Sequence, residues 1–351
     1  MPFKAVIALE EIGVASPPLG SRGVPALAPV ANRPILFHAL DALRHAGVTD
    51  VVTVSGNAGG REVAAAIGDG SAFGVRAEHL RSRTSSSLAH AVLEAEGFVG
   101  DDPFVLHSGD GLLGAQVPTA DELLTDHGPG ALLLVHRDGA LTATAPETRR
   151  MLRLANLAVN GTHLEVTSVS AFGGGAIAEG RRALERPGAG MYNLLDQLAR
   201  GGSRLHVRMV RSWRRYRGAA EDLLELNRMV LDDLDPDVAA ATLQANQIQG
   251  RVAIHPSATV EGSIIRGPVI VGEGAIVRDA YLGPGTAVGA HARIEGAEVE
   301  HSMVLEGARI ENLGGRLEAS IVGRDSRIYR DFTLPRAMRF VVGDGVNVAL
   351  Q

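Results

Sequence analysis

The chain has 351 residues, a net charge of −6, no cysteine and 43 glycines. That length holds two domains; the missing cysteines exclude disulfides and thiolate metal sites, and the acidic balance argues against nucleic-acid or anionic-membrane partners. No apolar run reaches the roughly 18 residues of a membrane span and the run after Met1 is too short for a secretory signal, so a cytoplasmic protein is expected.

In chain order, short apolar runs bounded by Gly, Asp or Pro predict strands at 3–9 (FKAVIAL), 50–56 (DVVTVSG), 74–80 (GVRAEHL), 103–110 (PFVLHSGD) and 131–136 (ALLLVH). Between them, 34–47, 61–70 and 85–100 carry apolar residues at helical spacing. Strand–helix alternation predicts an α/β domain with a mostly parallel sheet, and in such sheets ligands sit beyond the carboxyl ends of the strands. Those ends are the loop at Glu10, the loop after Ser55, and Ser108–Asp110. A helix at 221–236, with Leu223, Leu226, Val230 and Leu234 on one face, reads as the close of a first domain spanning 1–240.

A second domain, 241–351, has another period. Ile264, Ile270, Ile276, Leu282, Val288 and Ile294 fall six residues apart, and Ile254–Val260, Val304–Ile310 and Val322–Ile328 repeat the spacing, with slips between blocks. Neither a helix nor an ordinary hairpin has that period. A parallel β-helix of triangular coils, three hexads each, does, with an aliphatic residue pointing inward on each side; a Gly-rich β-sandwich is the alternative. The tail at 339–350 (RFVVGDGVNVAL) is expected to cap or pair with the open end.

These stretches resemble a known family. Residues 29–52 (PVANRPILFHALDALRHAGVTDVV), 68–75 (GDGSAFGV), 88–105, 109–113 (GDGLL), the helix at 221–234 and the segments 265–277, 294–312 and 339–345 together resemble the long form of glucose-1-phosphate thymidylyltransferase, a sugar nucleotidyltransferase. The resemblance implies a Rossmann-like, GT-A-like nucleotidyltransferase domain followed by a left-handed parallel β-helix. It implies attack of a sugar 1-phosphate on the α-phosphorus of a nucleoside triphosphate, helped by a glycine-rich loop, an Arg, lysines and magnesium held by two Asp.

Against that pattern the site is degenerate. The two loop glycines fall on Glu10 and Glu11, with Gly13 retained; the loop Arg falls on Ala15 or Ser16 and its Lys on Pro25. Two carboxylates beside a triphosphate would cost on the order of 4 kcal/mol per close charge pair at an effective dielectric near 20. The glutamates read either as a solvated pair or turn cap, or as groups recruited to hold a cation or amine. The base-reading Gln and Gly fall on Ser82 and Ser87, and Ser85–Ser87 also reads as a helix cap. The first metal Asp is present as Asp110, after Gly109; the second becomes Tyr216. The Glu-Lys-Pro sugar-phosphate motif is missing, and Met191 and Asn193 stand where the resemblance expects Glu.

Five arginines, Arg208, Arg211, Arg214, Arg215 and Arg217, crowd around Tyr216. They form either a solvated basic edge or the source of a guanidinium that replaces the cation at Asp110. The expectation is a pseudoenzyme with a binding, scaffold or regulatory role, needing magnesium only if nucleotidyl transfer is retained. Its partners would be a second copy, as homodimer or homotetramer, or an active homologue; a small-molecule ligand is unidentified. One alternative is an atypical enzyme using Asp110, Tyr216, the arginines and the glutamates in the same cleft. Another is a β-helix acyltransferase using His255, His291 or His301, although His301 also reads as a turn residue.

Overall fold

The computed structural model describes residues 3–9, 24–56, 59–82, 88–113, 117–119, 122, 130–137, 144–157, 163–186, 188–238, 242–244 and 246–332. The loop carrying Glu10, Glu11 and Gly13, residue Ser87, and the tail from 333 lie outside them. Along the chain run β1 (Lys4–Leu9), β2 (Pro29–Val30), β3 (Arg33–Pro34), α1 (Ile35–His45), β4 (Asp50–Ser55), α2 (Gly60–Ile67), β5 (Arg76–Arg81), α3 (Leu88–Glu94), α4 (Glu96–Val99), β6 (Phe104–His107) and β7 (Gly111–Leu113). There follow β8 (Ala131–Arg137), α5 (Pro146–Leu154), β9 (Leu164–Phe172), α6 (Ala176–Leu184), α7 (Met191–Arg200), β10 (Leu205–Val210), β11 (Trp213–Arg215) and α8 (Ala220–Asp232). Contacts divide the chain into two compact units: one includes β1 and Ile35–Arg215, the other Ala28–Pro34 and the chain from Tyr216 onward.

The first unit is built on a seven-stranded sheet in the order β10-β8-β9-β6-β1-β4-β5. Only β9 runs antiparallel to its neighbours, so the sheet is mostly parallel. β1 shows why both faces are covered. Ala5, Ile7 and Leu9 join Leu36, Leu40 and Val63 in one core, while Val6 and Ala8 join Val92, Leu184 and Leu194 in the other. An apolar run with a period of two and no polar face needs helices on both sides.

The second unit contains a parallel β-helix, as the left-handed hexapeptide pattern requires. Its short strands stack into three parallel sheets of six, five and five strands. Thr259 pairs with Ile276, and Ile276 with Arg293, so one coil takes 17 residues. This corrects the reading of three hexads per coil: these coils are two hexads and a pentad, while Arg293–Arg309 and Arg309–Arg327 take 16 and 18 residues. The inward residues are Val260, Ile265, Val271, Val277, Leu282, Val288 and Ile294, all essentially buried. Ile264 is instead 38% exposed, and Ile270 and Ile276 are half-buried. The aliphatic doublets Ile264–Ile265, Ile270–Val271 and Ile276–Val277 hid the true register, because either member satisfies a six-residue count. His291 and His301 hold left-handed backbone at φ 56° and 45°, the corner conformation that His tolerates better than most side chains.

Helix α8 packs within this second unit. Its buried face is Leu223, Leu224, Leu226, Asn227 and Leu231, rotated from the expected stripe; Val230 and Leu234 are half-buried. Asn227 explains the rotation. Its Oδ1 accepts the Ala31 N–H at 2.9 Å, and its Nδ2 donates to the Gly285 carbonyl at 2.9 Å. Asn32 Nδ2 adds a bond to the Val288 carbonyl at 2.7 Å. The turn it clamps, between β2 and β3, holds Ala31 and Asn32 at φ 44° and 65°, the paired positive values of a tight hairpin.

No helix among the described residues is long and apolar enough to cross a membrane.

Candidate functional site

The site grows from the carboxyl end of β6. His107 is buried at the last strand position, and its Nδ1 accepts the Gly109 N–H at 2.8 Å. That bond fixes the neutral ring with its proton on Nε2, and burial, then the charge of Arg215, pushes the His107 pKa down to about 4. Gly109 turns the chain at φ 76°, where an added Cβ would also meet Ile7 at 2.9 Å and Leu9 at 3.0 Å. Ser108 is pinned beside it by a 2.6 Å bond between its hydroxyl and that of Ser168 on β9. Asp110 is therefore presented by a rigid turn, and its residue is only 1% exposed.

A two-stranded antiparallel ribbon supplies its partner. β11 pairs with β7 so that Trp213 faces Leu113 and Arg215 faces Gly111, the residue after Asp110. Any side chain at Gly111 would collide with the Trp213 ring, so the missing Cβ is what lets β11 approach. The register carries the Arg215 guanidinium onto Asp110. Nε reaches Oδ1 at 2.9 Å and Oδ2 at 3.0 Å, and Nη2 reaches Oδ2 at 2.9 Å. This is a charge-assisted fork holding both carboxylate oxygens, with the Arg215 side chain 20% exposed.

Two other arginines of that stretch have neighbours of their own in Glu122 and Asp222. Arg208 pairs with Glu122 at 3.1 Å. Arg217 is exposed, and its backbone N–H donates to Asp222 at 2.9 Å. Tyr216, in the second unit, is 1% exposed with no hydrogen-bond partner for its hydroxyl. Burial, then the charge of Asp222, raises its pKa, so it stays a neutral phenol.

Ser82 is buried just past β5, its N–H on the Ser55 carbonyl at 2.8 Å. β5 and β6 are separated by β1 and β4, so Ser82 sits roughly 14 Å along the sheet from the Asp110 turn. Asn193 accepts the Gly190 N–H at 2.9 Å and so caps α7.

Magnesium is the ion the resemblance implies, and the described residues do not fit it. Mg²⁺ asks for hard oxygens in a near-octahedral shell, with one or two carboxylates. Here both oxygens of Asp110 are engaged by Arg215, Tyr216, where the resemblance expects the second Asp, is a buried phenol, and among the described residues no group of three or more His, Asp or Glu is placed to hold a metal.

His107, Ser168 and Trp213 were not singled out in the sequence. The one available signal was a histidine inside the apolar run 103–107, since a neutral buried His there needs a hydrogen-bond partner.

Comparison with known proteins adds the following. The nucleotidyl transferase family matches residues 17–138. A glucose-1-phosphate thymidylyltransferase from Streptomyces antibioticus is 32% identical over 99% of this chain and 100% of its own length. The low-salt glycan biosynthesis nucleotidyltransferase Agl11 from Haloferax volcanii is 30% identical over 95% of this chain and 96% of its own. A crystal structure assigned as a glucose-1-phosphate thymidylyltransferase from Bacillus anthracis, in complex with sucrose, shares the fold over 64% of this chain and 94% of that one, with a TM-score of 0.52 at 19% identity.

Proposed function

The chain belongs to the glucose-1-phosphate thymidylyltransferase family, and from that premise we propose that it has given up ordinary thymidylyl transfer and keeps the fold for a binding, scaffold or regulatory role. The observation that carries this reading is the fork between Arg215 and Asp110. The carboxylate that the resemblance assigns to the metal is already neutralised by a side chain of the same protein. Phosphoryl chemistry of this kind depends on positioning and on neutralising the charge of a triphosphate. Glu10 and Glu11 would add negative charge where that chemistry needs positive, and Pro25 removes a lysine.

The test is a transfer assay with dTTP, glucose 1-phosphate and Mg²⁺, reading pyrophosphate release beside the Streptomyces antibioticus relative. Turnover at least about a thousand-fold below that relative is expected, the scale on which losing preorganised charge stabilisation acts. Comparable turnover would end the proposal. The same reading places the protein in the cytoplasm with a second copy or an active homologue as partner, which light scattering and co-purification would separate.

A further inference from the structure

The geometry points to Arg215 as a built-in counter-cation that makes Asp110 refuse a divalent ion, so that a neutral side chain at position 215 turns Asp110 into a cation-binding carboxylate. This deepens, and rests on, the reading that metal-dependent transfer has been lost.

Three features support it. First, the fork is bidentate, and Asp110 is nearly fully buried. A divalent ion could enter only by displacing a guanidinium that is weakly hydrated and well matched to a carboxylate, while itself shedding tightly held water. Second, the pairing is set by backbone. The β7–β11 register puts Arg215 opposite Gly111, and the Trp213 ring fills the space a side chain at Gly111 would need. Arg215 is thus delivered to Asp110 by a ladder rather than by a mobile side chain alone. Third, burial and then Arg215's charge keep the neighbouring His107 neutral, so that ring adds no second cation beside the carboxylate.

The turn that presents Asp110 does not depend on the arginine. Gly109 is held by His107, and Ser108 by Ser168. Removing the guanidinium therefore leaves the carboxylate in place without this counter-charge, the condition under which a hard cation is attracted.

The experiment is a Mn²⁺ titration of the full chain, followed by water-proton relaxation, for the wild type, Arg215→Gln and the double variant Asp110→Asn/Arg215→Gln. Sites common to all three subtract out. The expected result is no Asp110-dependent site in the wild type, and in Arg215→Gln a gain in Mn²⁺ affinity of about tenfold or more that the double variant loses. A wild-type site abolished by Asp110→Asn, or a folded Arg215→Gln that binds no better than wild type, overturns the inference. Should Arg215→Gln not fold, the wild type decides: the Arg215 Nε–H resonance stays sharp under Mn²⁺ if the fork holds, and saturable broadening overturns it. The two proposals fail separately. Active transfer with no ion at Asp110 removes the functional reading and leaves this one standing. An ion at Asp110 without transfer does the reverse.

Discussion

Two regions of the molecule use the same chemistry, an arginine beside a carboxylate, in opposite surroundings. At the end of β6 a single fork is buried: the Asp110 side chain is 2% exposed. On the outer faces of the β-helix, Arg278 bridges Glu261 and Glu295, Arg316 bridges Glu298 and Glu300, and Arg327 meets Glu311, all in contact with solvent. The difference lies in what replaces a lost partner. At the surface water does so, and the pair contributes little; in the buried turn water is excluded, and losing the guanidinium costs more. One guanidinium therefore decides the character of the turn, while several on the β-helix decorate a fold that its apolar interior already holds.

The largest expected effect tests that contrast at its buried end. Arg215→Ala should destabilise the protein by about 3–5 kcal/mol in urea unfolding, because it leaves Asp110 without its counter-charge. A loss no larger than a surface pair gives would erase the distinction.

The next is set by pH. His107 is held in the folded state at about 4, below its ordinary 6.5. As pH falls the unfolded chain takes the proton first, so stability is complete above about pH 6.5 and declines toward pH 4, by about 3 kcal/mol in all. His107→Gln keeps an acceptor for the Gly109 N–H without a titrating ring. It should flatten that part of the stability–pH curve, and an unchanged slope would place the sensitivity elsewhere.

Asn227→Ala comes third. It strands the Ala31 N–H and the Gly285 carbonyl, for an expected loss of about 1–3 kcal/mol. Amide exchange should rise at Ala31 before it rises in the β-helix strands. The smallest effect is Glu311→Ala, where the Arg327 partner is exposed: the denaturant midpoint should not move measurably, least of all in high salt. A clear shift there would mean the surface ladders stabilise the coil after all.

Much of the fold was legible because it rests on periodicity. The alternation of β1 between two cores, the helical spacing in 34–47 and the repeated aliphatics after residue 251 are local patterns, and local patterns survive in one dimension. The coil register was not legible at Ile264–Ile265, where adjacent aliphatics compete for one inward slot and only stacking against the next coil chooses. The stripe on α8 misled for a related reason: a polar residue, Asn227, takes a buried place that hydrophobic counting assigns elsewhere. At the site, GDGLL and the crowd of arginines suggested that a guanidinium stands in for the cation at Asp110, but not that it is Arg215's.

What the sequence determined by itself is composition and period: a two-part chain, a mostly parallel α/β sheet and a coiled β-helix. What only the tertiary structure decided is which groups meet across distance. Arg215 reaches Asp110 because the β7–β11 register, cleared by Gly111, aims that side chain at the turn. Hydrophobic patterns repeat along the chain and can be read there. A charge pair 105 residues apart in sequence is specified by the backbone hydrogen bonds between two strands, and those exist only once the chain has folded.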